Sequence, residues 1–300
     1  MGKPKSTAAT LVEFAAARFV LGSLRITPLR VANKLANTYT KALDITIPRL
    51  RRVARTNISF AMPQLTSEQQ ERIIDGVFRS LARLLVALAR FPDINANNVS
   101  AWIRYEGLEH YQAAKAKGRG VLIATAHLGN WELSAFAHAI LTEPMHVMVR
   151  PLDNERVDEL VETRRALSGN RLIVKWDSAL SVVRALKQNE AVGMLIDQNA
   201  AETEGGFVQF FGKPATANFA FIKIAERTGA AVVPGFAIWE ASEQRYVLRF
   251  YPQLELTGNT AADTQRIHTF FEQVIRKYPD QWMWIHRRWK TRPSGDPPIY

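Results

Sequence analysis

The chain has 300 residues, of which 47% are hydrophobic and 22% are charged. This composition is typical of a globular protein and excludes a disordered or collagen-like chain. Because the sequence contains no cysteine, disulfide frameworks, zinc–thiolate sites, iron–sulfur clusters and thiol catalysis are also excluded. Any chemistry must therefore rest on oxygen and nitrogen groups.

The net charge of +11 is concentrated at the two ends of the chain. Residues 1–60 contain 11 Lys and Arg against 2 acidic residues, a balance of +9, and residues 281–300 contain 4 against 1, a balance of +3. The residues between them sum to −1. Such asymmetry predicts contact with an anionic surface, either phospholipid headgroups or nucleic-acid phosphates.

The first apolar segment, residues 8–26, is interrupted by Glu13, Arg18 and Arg25. A spanning helix needs about 20 predominantly apolar residues, and a central charge costs about 2.5–3.5 kcal/mol, so we do not predict a transmembrane helix. No pattern of a cleaved secretory signal is found either. Two alternatives stay open: a surface helix packed on its own domain, and an interfacial helix in the headgroup region, which the basic cluster at residues 49–55 favours.

Helical spacing of apolar residues next predicts a helix that begins at the capping sequence from Thr66 to Gln69 and ends near Phe91. The first third of the chain is thus expected to be helical. We predict a basic, membrane-associating helical region over residues 1–100 and an α/β domain over residues 101–300, packed together as one unit.

After Gly118, short apolar runs alternate with helical segments. The strands are predicted at residues 120–126, 147–149, 171–174, 191–196, 232–238 and 245–250. The helices are predicted at residues 131–141, 154–167, from a cap near Asp177, 214–229 and 264–277, with a long loop before Lys213. This alternation predicts an α/β fold with a largely parallel central sheet flanked by helices, and such sheets carry their sites beyond the carboxyl ends of the strands.

The turn after the first of these strands reads Thr125-Ala-His-Leu-Gly-Asn-Trp-Glu132. His127 is expected at the exposed edge of the sheet, and the loop can return the carboxylate of Glu132 to its ring. A carboxylate on one ring nitrogen fixes the tautomer and supports a general base that acts on a hydroxyl. The alternative is a histidine that only packs or caps the turn.

Other chemistries lack their motifs. No G-x-S-x-G elbow, phosphate-binding loop or dinucleotide fingerprint is present. His138 lies eleven positions after His127, a spacing that does not match a metal site. We therefore predict no metal and no cofactor.

Six sequence blocks, read together, resemble the lipid A biosynthesis lauroyl/myristoyl acyltransferases, members of the lysophospholipid acyltransferase superfamily, which is marked by an H-x4-D/E motif. The resemblance covers roughly residues 45–293. The blocks lie at residues 126–132, 149–154, 197–198, 206–215, 233–234 and 282–293.

This resemblance implies a glycerolipid-acyltransferase-like fold and an O-acyltransferase. His127 would deprotonate an acceptor hydroxyl as it attacks the thioester of acyl carrier protein or coenzyme A, with Glu132 as its orienter and no covalent enzyme intermediate. We seek the oxyanion donors among backbone N–H groups at the start of the following helix. The expected acceptor is a lipid A precursor at the cytoplasmic face of a bacterial inner membrane, to which the protein is peripheral or N-terminally anchored.

Three alternatives to this function stay open. One is acylation of another glycolipid, such as a phosphatidylinositol mannoside, or of a lysophospholipid. The second is a non-catalytic lipid-binding protein. The third is nucleic-acid binding, suggested by the aromatic and basic tail at residues 282–290, but no binding module accompanies that tail, and Trp beside Lys and Arg is equally typical of a membrane interface. We expect an anionic membrane surface and no nucleic acid as partner.

Further site residues are predicted around the same edge. Arg150 follows a strand and is expected either to bind a phosphate or to pair with Asp153. By resemblance, Arg164 or Arg165 faces the acceptor. Asp197 is expected to orient one of these arginines or to cap its loop. The aromatic run at residues 207–211 is expected as a loop wall that lines the acyl groove, and His286 as a structural or headgroup contact.

Overall fold

The computed structural model describes residues 6–174 and 178–300, so the cap predicted near Asp177 lies outside the described residues. Helices and strands alternate through most of the chain after the first four helices. The helices are α1 (Thr7–Ile26), α2 (Leu29–Thr46), α3 (Pro48–Ala61), α4 (Ser67–Arg90), α5 (Leu108–Lys115), α6 (Trp131–Leu141), α7 (Glu155–Ala166), α8 (Ser178–Lys187), α9 (Ala220–Thr228) and α10 (Thr260–Lys277).

A seven-stranded sheet with the order β1-β9-β8-β2-β5-β3-β4 forms the centre of the molecule. Its neighbours pair in parallel except β8 and β9, which are antiparallel. The predicted α/β class with a largely parallel sheet and a helical N-terminal region is confirmed. The strands are β1 (Ile103–Glu106), β2 (Val121–Thr125), β3 (His146–Val149), β4 (Arg171–Val174), β5 (Ala191–Leu195), β6 (Gly205–Phe210), β7 (Lys213–Asn218), β8 (Ala231–Glu240) and β9 (Arg245–Phe250).

The loop predicted before Lys213 and the helix predicted to begin at Pro214 are wrong. Strands β6 and β7 form a separate antiparallel hairpin there, and α9 begins only at Ala220. The turn consists of Phe211 and Gly212, with φ of 57° and 67°. Positive φ at both turn residues matches the twist of a hairpin, whereas Pro214 in a paired strand resembles a helix start in sequence.

Alternate side chains of each central strand enter two different core layers. In β2, Leu122 and Ala124 pack with α8, α9, α10 and the C-terminal segment, while Val121 and Ile123 pack on the opposite face with α4, α5 and α6. Because both faces are covered, the strands are apolar throughout rather than alternating with polar residues.

The N-terminal helices pack on this framework through α4. The predicted cap of α4 is confirmed as a capping box, in which Thr66 and Gln69 bond each other's backbone N–H groups. Helix α1 lies against α4 and α7, and it is long and apolar enough to cross a membrane by length and composition. The predicted division near residue 100 stays a prediction.

The segment after α10 runs back across the molecule to the end of β2. Backbone N–H groups of Gly129 and Met283 donate to the carbonyls of Gln281 and His127, at 2.9 and 3.0 Å. The buried amide of Asn57 on α3 donates to the carbonyls of Trp284 and His286, at 2.6 and 2.7 Å. This segment therefore connects the N-terminal helices to the edge of the sheet where β2 ends.

Candidate active site

His127 stands two residues beyond β2 at the carboxyl edge of the sheet. The chain then turns sharply at Gly129, whose φ is +66° and whose position leaves no room for a side chain, because an added Cβ would overlap the carbonyl of Ala237. Asn130 caps α6 by accepting from the Leu133 N–H at 2.9 Å. A left-handed glycine and a side-chain cap thus fix both the direction of the loop and the start of the helix.

The carboxylate that holds the His127 ring is Asp197. Nδ1 of His127 donates to Oδ1 of Asp197 at 2.8 Å, and the backbone N–H of His127 donates to Oδ2 at 3.0 Å. The indole N–H of Trp282 donates to the same Oδ2 at 2.7 Å. The side chain of Asp197 is only 2% exposed, so every contact to it comes from the protein interior.

These contacts keep Asp197 ionised and fix the tautomer of the neutral His127 ring. Burial alone would raise the pKa of Asp197, but the charge and hydrogen bonds of His127, with the bond from Trp282, lower that pKa to about 2. An ionised carboxylate only accepts hydrogen bonds, so the proton of neutral His127 sits on Nδ1 and the lone pair is on Nε2.

The Nε2 atom of the ring is not part of the contact with buried Asp197. The His127 side chain is 15% exposed, its ring lies edge-on to Trp131 with centroids 5.0 Å apart, and the amide nitrogen of Gln198 is 3.2 Å from Nε2. A ring with one nitrogen held by a buried acid and the other unprotonated can accept a proton from a substrate once Gln198 moves aside.

The predicted contact between Glu132 and His127 is not formed. Both Glu132 oxygens accept from Arg165 on α7, at 2.8 and 2.6 Å. Burial alone would lower the pKa of Arg165, but the hydrogen bonds and charge of Glu132 outweigh it and raise the pKa. Glu132 lies in the first turn of α6, and the guanidinium of Arg165 on α7 donates to both of its carboxylate oxygens.

An apolar cavity of about 220 Å³ opens beside these groups. His127, Glu132, Arg150 and Arg165 line its mouth, and its walls run between α6 and the sheet. The wall residues include Ile123, Val147, Gly193 and Leu195 from the strands and Phe91, Phe136, His138 and Phe250 from the inner end. A slot of this kind, apolar inside with polar groups at one end, accommodates a long apolar chain that carries a polar head.

The basic residues around the site have different surroundings. Arg150 is exposed at the cavity mouth. The ion pair with Asp153 that was the predicted alternative is not formed in the described part of the chain, residues 6–174 and 178–300. Arg164 instead donates to the Leu160 carbonyl at 3.0 Å, and burial and the charge of Arg25 lower its pKa. Of the two adjacent arginines on α7, Arg165 is therefore the one that faces the cavity.

Two further predictions need correction. Asp197 orients His127 rather than Arg150 or Arg165. The aromatic run at residues 207–211 is not part of the cavity wall, because Phe210 and Phe211 pack with Trp282 on the opposite face of the sheet. As for metals, the described parts of the chain contain no group of three histidine or acidic side chains arranged to hold an ion.

Three residues around the His127 ring make contacts that were not predicted from the sequence. Asp197 was expected to orient an arginine or to cap its loop, Gln198 was only part of one block of the family resemblance, and Trp282 was only part of the aromatic tail. The position of Asp197 could have indicated its contact with His127, since both residues follow a predicted buried strand. The sequence alone does not show that β2 and β5 are neighbours in the sheet.

An imidazole–carboxylate pair at the mouth of an apolar cavity, on the carboxyl edge of a parallel sheet, is an arrangement suited to an enzyme with a lipid-like substrate. The model of the bacterial lipid A biosynthesis acyltransferase family matches residues 3–291, and the chain belongs to this family. It is an O-acyltransferase of lipid A biosynthesis.

Several curated proteins are similar over most of the chain. The lipid A biosynthesis palmitoleoyltransferase of Escherichia coli K12 is 31% identical over 262 residues, covering 85% of this chain and 83% of that protein. The lauroyltransferase of the same organism is 27% identical over 84% and 83% of the two chains. A lipid A biosynthesis acyltransferase of Haemophilus influenzae is 24% identical over 93% and 87%.

Proposed function

We propose that this enzyme transfers a fatty acyl chain from the thioester of acyl carrier protein or coenzyme A to a hydroxyl of a lipid A precursor, with His127 as general base. The observation that carries the proposal is the unprotonated Nε2 of His127, on the ring that Asp197 holds, at the mouth of an apolar cavity. Membership of the lipid A acyltransferase family supports the class of acceptor.

The proton moves through His127 in both halves of the reaction. As the acceptor oxygen bonds to the thioester carbon, its proton passes to Nε2. The tetrahedral oxyanion then collapses, the carbon–sulfur bond breaks, and the leaving thiolate takes the proton from Nε2. Asp197 stabilises the transient imidazolium through the 2.8 Å hydrogen bond at Nδ1. The products are an ester, a free thiol and neutral histidine.

The oxyanion needs hydrogen-bond donors while it exists. The start of α6 can supply them, because Asn130 caps the N–H of Leu133 but the N–H groups of Trp131 and Glu132 have no acceptor among the described residues. Unpaired N–H groups at a helix start also carry the positive end of its dipole.

The acyl chain and the acceptor enter from different directions in this proposal. The chain occupies the slot between α6 and the sheet, whose walls are apolar over most of their length. The anionic headgroup of the acceptor meets Arg150, which is exposed and has no ion pair within the described residues, and the Glu132–Arg165 pair. A planar guanidinium binds phosphate through two parallel hydrogen bonds.

The N-terminal helices support a membrane-bound location. Helix α1 is bound to the rest of the protein near both of its ends. Asn154 donates to the Thr10 carbonyl at 2.9 Å, and Arg25 pairs with Asp93 at 2.9 Å. The outer faces of α1 and α2 expose large apolar residues beside a strongly basic sequence. We infer that these faces lie in the headgroup region of an anionic cytoplasmic leaflet. The exposed residues are Leu11, Val12, Phe19, Ile26, Leu29, Val31, Leu43, Ile45 and Ile47.

The test is direct acyl transfer by the purified full-length protein. Acyl carrier protein and coenzyme A thioesters are incubated with a lipid A precursor, and the lipid fraction is analysed by mass spectrometry. We expect one added acyl chain with the wild type and a loss of about 10²–10⁴ in rate with His127→Ala. His110→Ala, on α5 and outside the cavity, serves as the matched control.

The same experiment distinguishes the alternatives. A mass gain only on a phosphatidylinositol mannoside or a lysophospholipid would reassign the acceptor. No mass gain on any acceptor, together with binding to lipid vesicles that His127→Ala leaves unchanged, would replace the enzyme with a lipid-binding protein.

A further inference from the structure

The amide of Gln198 occupies the place that the acceptor hydroxyl needs. Its nitrogen lies 3.2 Å from Nε2 of His127. Because Nδ1 carries the proton that bonds Asp197, Nε2 is an acceptor with one lone pair and the Gln198 amide is the donor. A hydroxyl cannot give its proton to Nε2 while that lone pair is taken.

The Gln198 side chain is free to leave this position. Among residues 6–174 and 178–300, its amide makes no other hydrogen bond. The neighbouring amide of Asn199 contrasts with it, since Asn199 donates to Thr291 at 3.0 Å and accepts from the Thr291 N–H at 2.9 Å. Asn199 thus ties its loop to the C-terminal segment, whereas Gln198 has a single partner, and that partner is the reacting nitrogen.

The chain around Gln198 is nevertheless anchored. The preceding residue, Asp197, is buried and hydrogen-bonded to both His127 and Trp282. Only the side-chain torsions of Gln198 need to change when it moves, so its amide stays within a few ångströms of the base. A displaced amide therefore remains beside the bond that forms.

We propose that Gln198 is a side-chain oxyanion donor that rests on His127 in the free enzyme and is released when the acceptor hydroxyl takes its place. This inference rests on the proposed acyl transfer. When the hydroxyl proton reaches Nε2, that nitrogen becomes a donor and no longer accepts from the amide. The amide N–H then donates to the thioester oxygen, whose negative charge grows at the same moment. No covalent bond of Gln198 changes.

Replacing the amide by a thioether of similar length distinguishes hydrogen-bond donation to the oxyanion from simple occupation of the space beside Nε2. Gln198→Met retains the bulk but has no N–H group. If Gln198 donates to the oxyanion, kcat falls about 10²–10³-fold, and KM for the acceptor stays constant or falls because the competitor for Nε2 is gone. If Gln198 only covers the lone pair, kcat is unchanged or rises. Gln112→Met, an exposed position on α5, is the matched control.

The experiment measures kcat and KM for both substrates with wild type, Gln198→Met, Gln198→Glu and Gln112→Met. A carboxylate beside Nε2 favours the imidazolium, so Gln198→Glu should also move the acid limb of the rate–pH profile to higher pH. A kcat of Gln198→Met within threefold of the wild type overturns the proposal. If Gln198→Met unfolds, an unmoved acid limb in Gln198→Glu overturns it. Absence of transfer by the wild type refutes the proposed function instead.

Discussion

His127 and Asp197 follow two paired positions of adjacent parallel strands by the same number of residues. Thr125 of β2 pairs with Leu195 of β5, and the N–H of Ile196 donates to the Thr125 carbonyl at 3.1 Å. The imidazole of His127 and the carboxylate of Asp197 are therefore next to each other because of sheet register and not because of a flexible loop. Their geometry depends on the rigid centre of the fold.

Asp197→Asn should abolish most of the activity without unfolding the protein. An amide in place of the carboxylate can present its NH2 group to Nδ1, which shifts the histidine proton to Nε2 and removes the base. By analogy with the acid of serine hydrolase triads, the rate should fall about 10⁴-fold. The fall in rate is measured by steady-state acyl transfer, with Asp153→Asn at an exposed position as the control variant. Equal activities would mean that Asp197 does not set the tautomer.

The Glu132–Arg165 pair should contribute more to stability than an exposed ion pair. Its side chains are 11% and 19% exposed, against 41% and 45% for Asp93 and Arg25. Removing one partner leaves the other charge with reduced hydration, so Arg165→Met should lower the free energy of unfolding by about 1–3 kcal/mol, after allowance for partial solvent screening.

A double-mutant cycle on this pair tests that expectation by denaturant unfolding. Glu132→Gln with Arg165→Met should show a clear coupling energy, whereas Asp93→Asn with Arg25→Met should give less than about 1 kcal/mol. The cavity-lining position of both Glu132 and Arg165 also predicts slower acyl transfer in each single variant. Similar coupling energies in the two cycles would contradict the assignment.

A larger side chain at Gly193 should shorten the acyl chain that the enzyme prefers. Gly193 lines the cavity from β5, and an added Cβ would lie 2.6 Å from Cε of Met145. The methionine end can shift for one methyl group, but the branched side chain of Gly193→Val would narrow the slot. Competition among thioesters of different length, read by mass spectrometry of the lipid product, measures the change. Activity with the shortest donor should persist, and an unchanged preference would place the chain elsewhere.

The protein should lose stability as the pH falls from about 6.5 to 4, in part through His138. Burial lowers the pKa of His138 from 6.5 to about 4. The unfolded chain therefore takes up a proton at a higher pH than the folded protein, and the free energy of unfolding falls across this window. His138→Phe should reduce the loss between pH 7 and 4.5 by up to about 3 kcal/mol. Parallel curves for the two proteins would show that His138 does not titrate in this way.

A negative charge on the outer face of α1 should weaken membrane binding without affecting the folding of the protein in the absence of a membrane. Phe19 and Ile26 are 66% and 84% exposed. Phe19→Glu and Ile26→Glu add negative charge and remove apolar surface, so both should reduce sedimentation with anionic phospholipid vesicles. Leu180→Glu on α8, where Leu180 is 77% exposed, should bind as the wild type does. Equal loss in all three would point to a general effect of charge.

The periodicity of apolar residues and the positions of strand ends were enough to predict six of the seven strands of the sheet, most of the helices that follow it in sequence, and the position of His127, whereas β1 was not predicted. The capping sequence at Thr66 and the helix after Trp131 are local features, which sequence reports well. The Phe211-Gly212 hairpin was missed because the usual Asn-Gly signal is absent, and Pro214 resembled a helix start.

The partner of His127 was not predictable in the same way. Glu132 is close in sequence, whereas Asp197 lies 70 residues away and two further strands, β3 and β4, intervene along the chain. Only the strand order, in which β5 inserts beside β2, brings Asp197 to the base. Glu132 was predicted as the partner of His127 because it is close in sequence. The residue that binds its carboxylate, Arg165, is also remote in sequence, so this competing ion pair could not be predicted.

The bond from Trp282 to Asp197 makes the His127–Asp197 pair depend on cooperative packing. The indole that holds Asp197 belongs to the segment after α10, and the Tyr300 hydroxyl in the same segment bonds Asn57 in α3. Until this segment and the N-terminal helices have packed together, the aspartate lacks one of its hydrogen-bond donors.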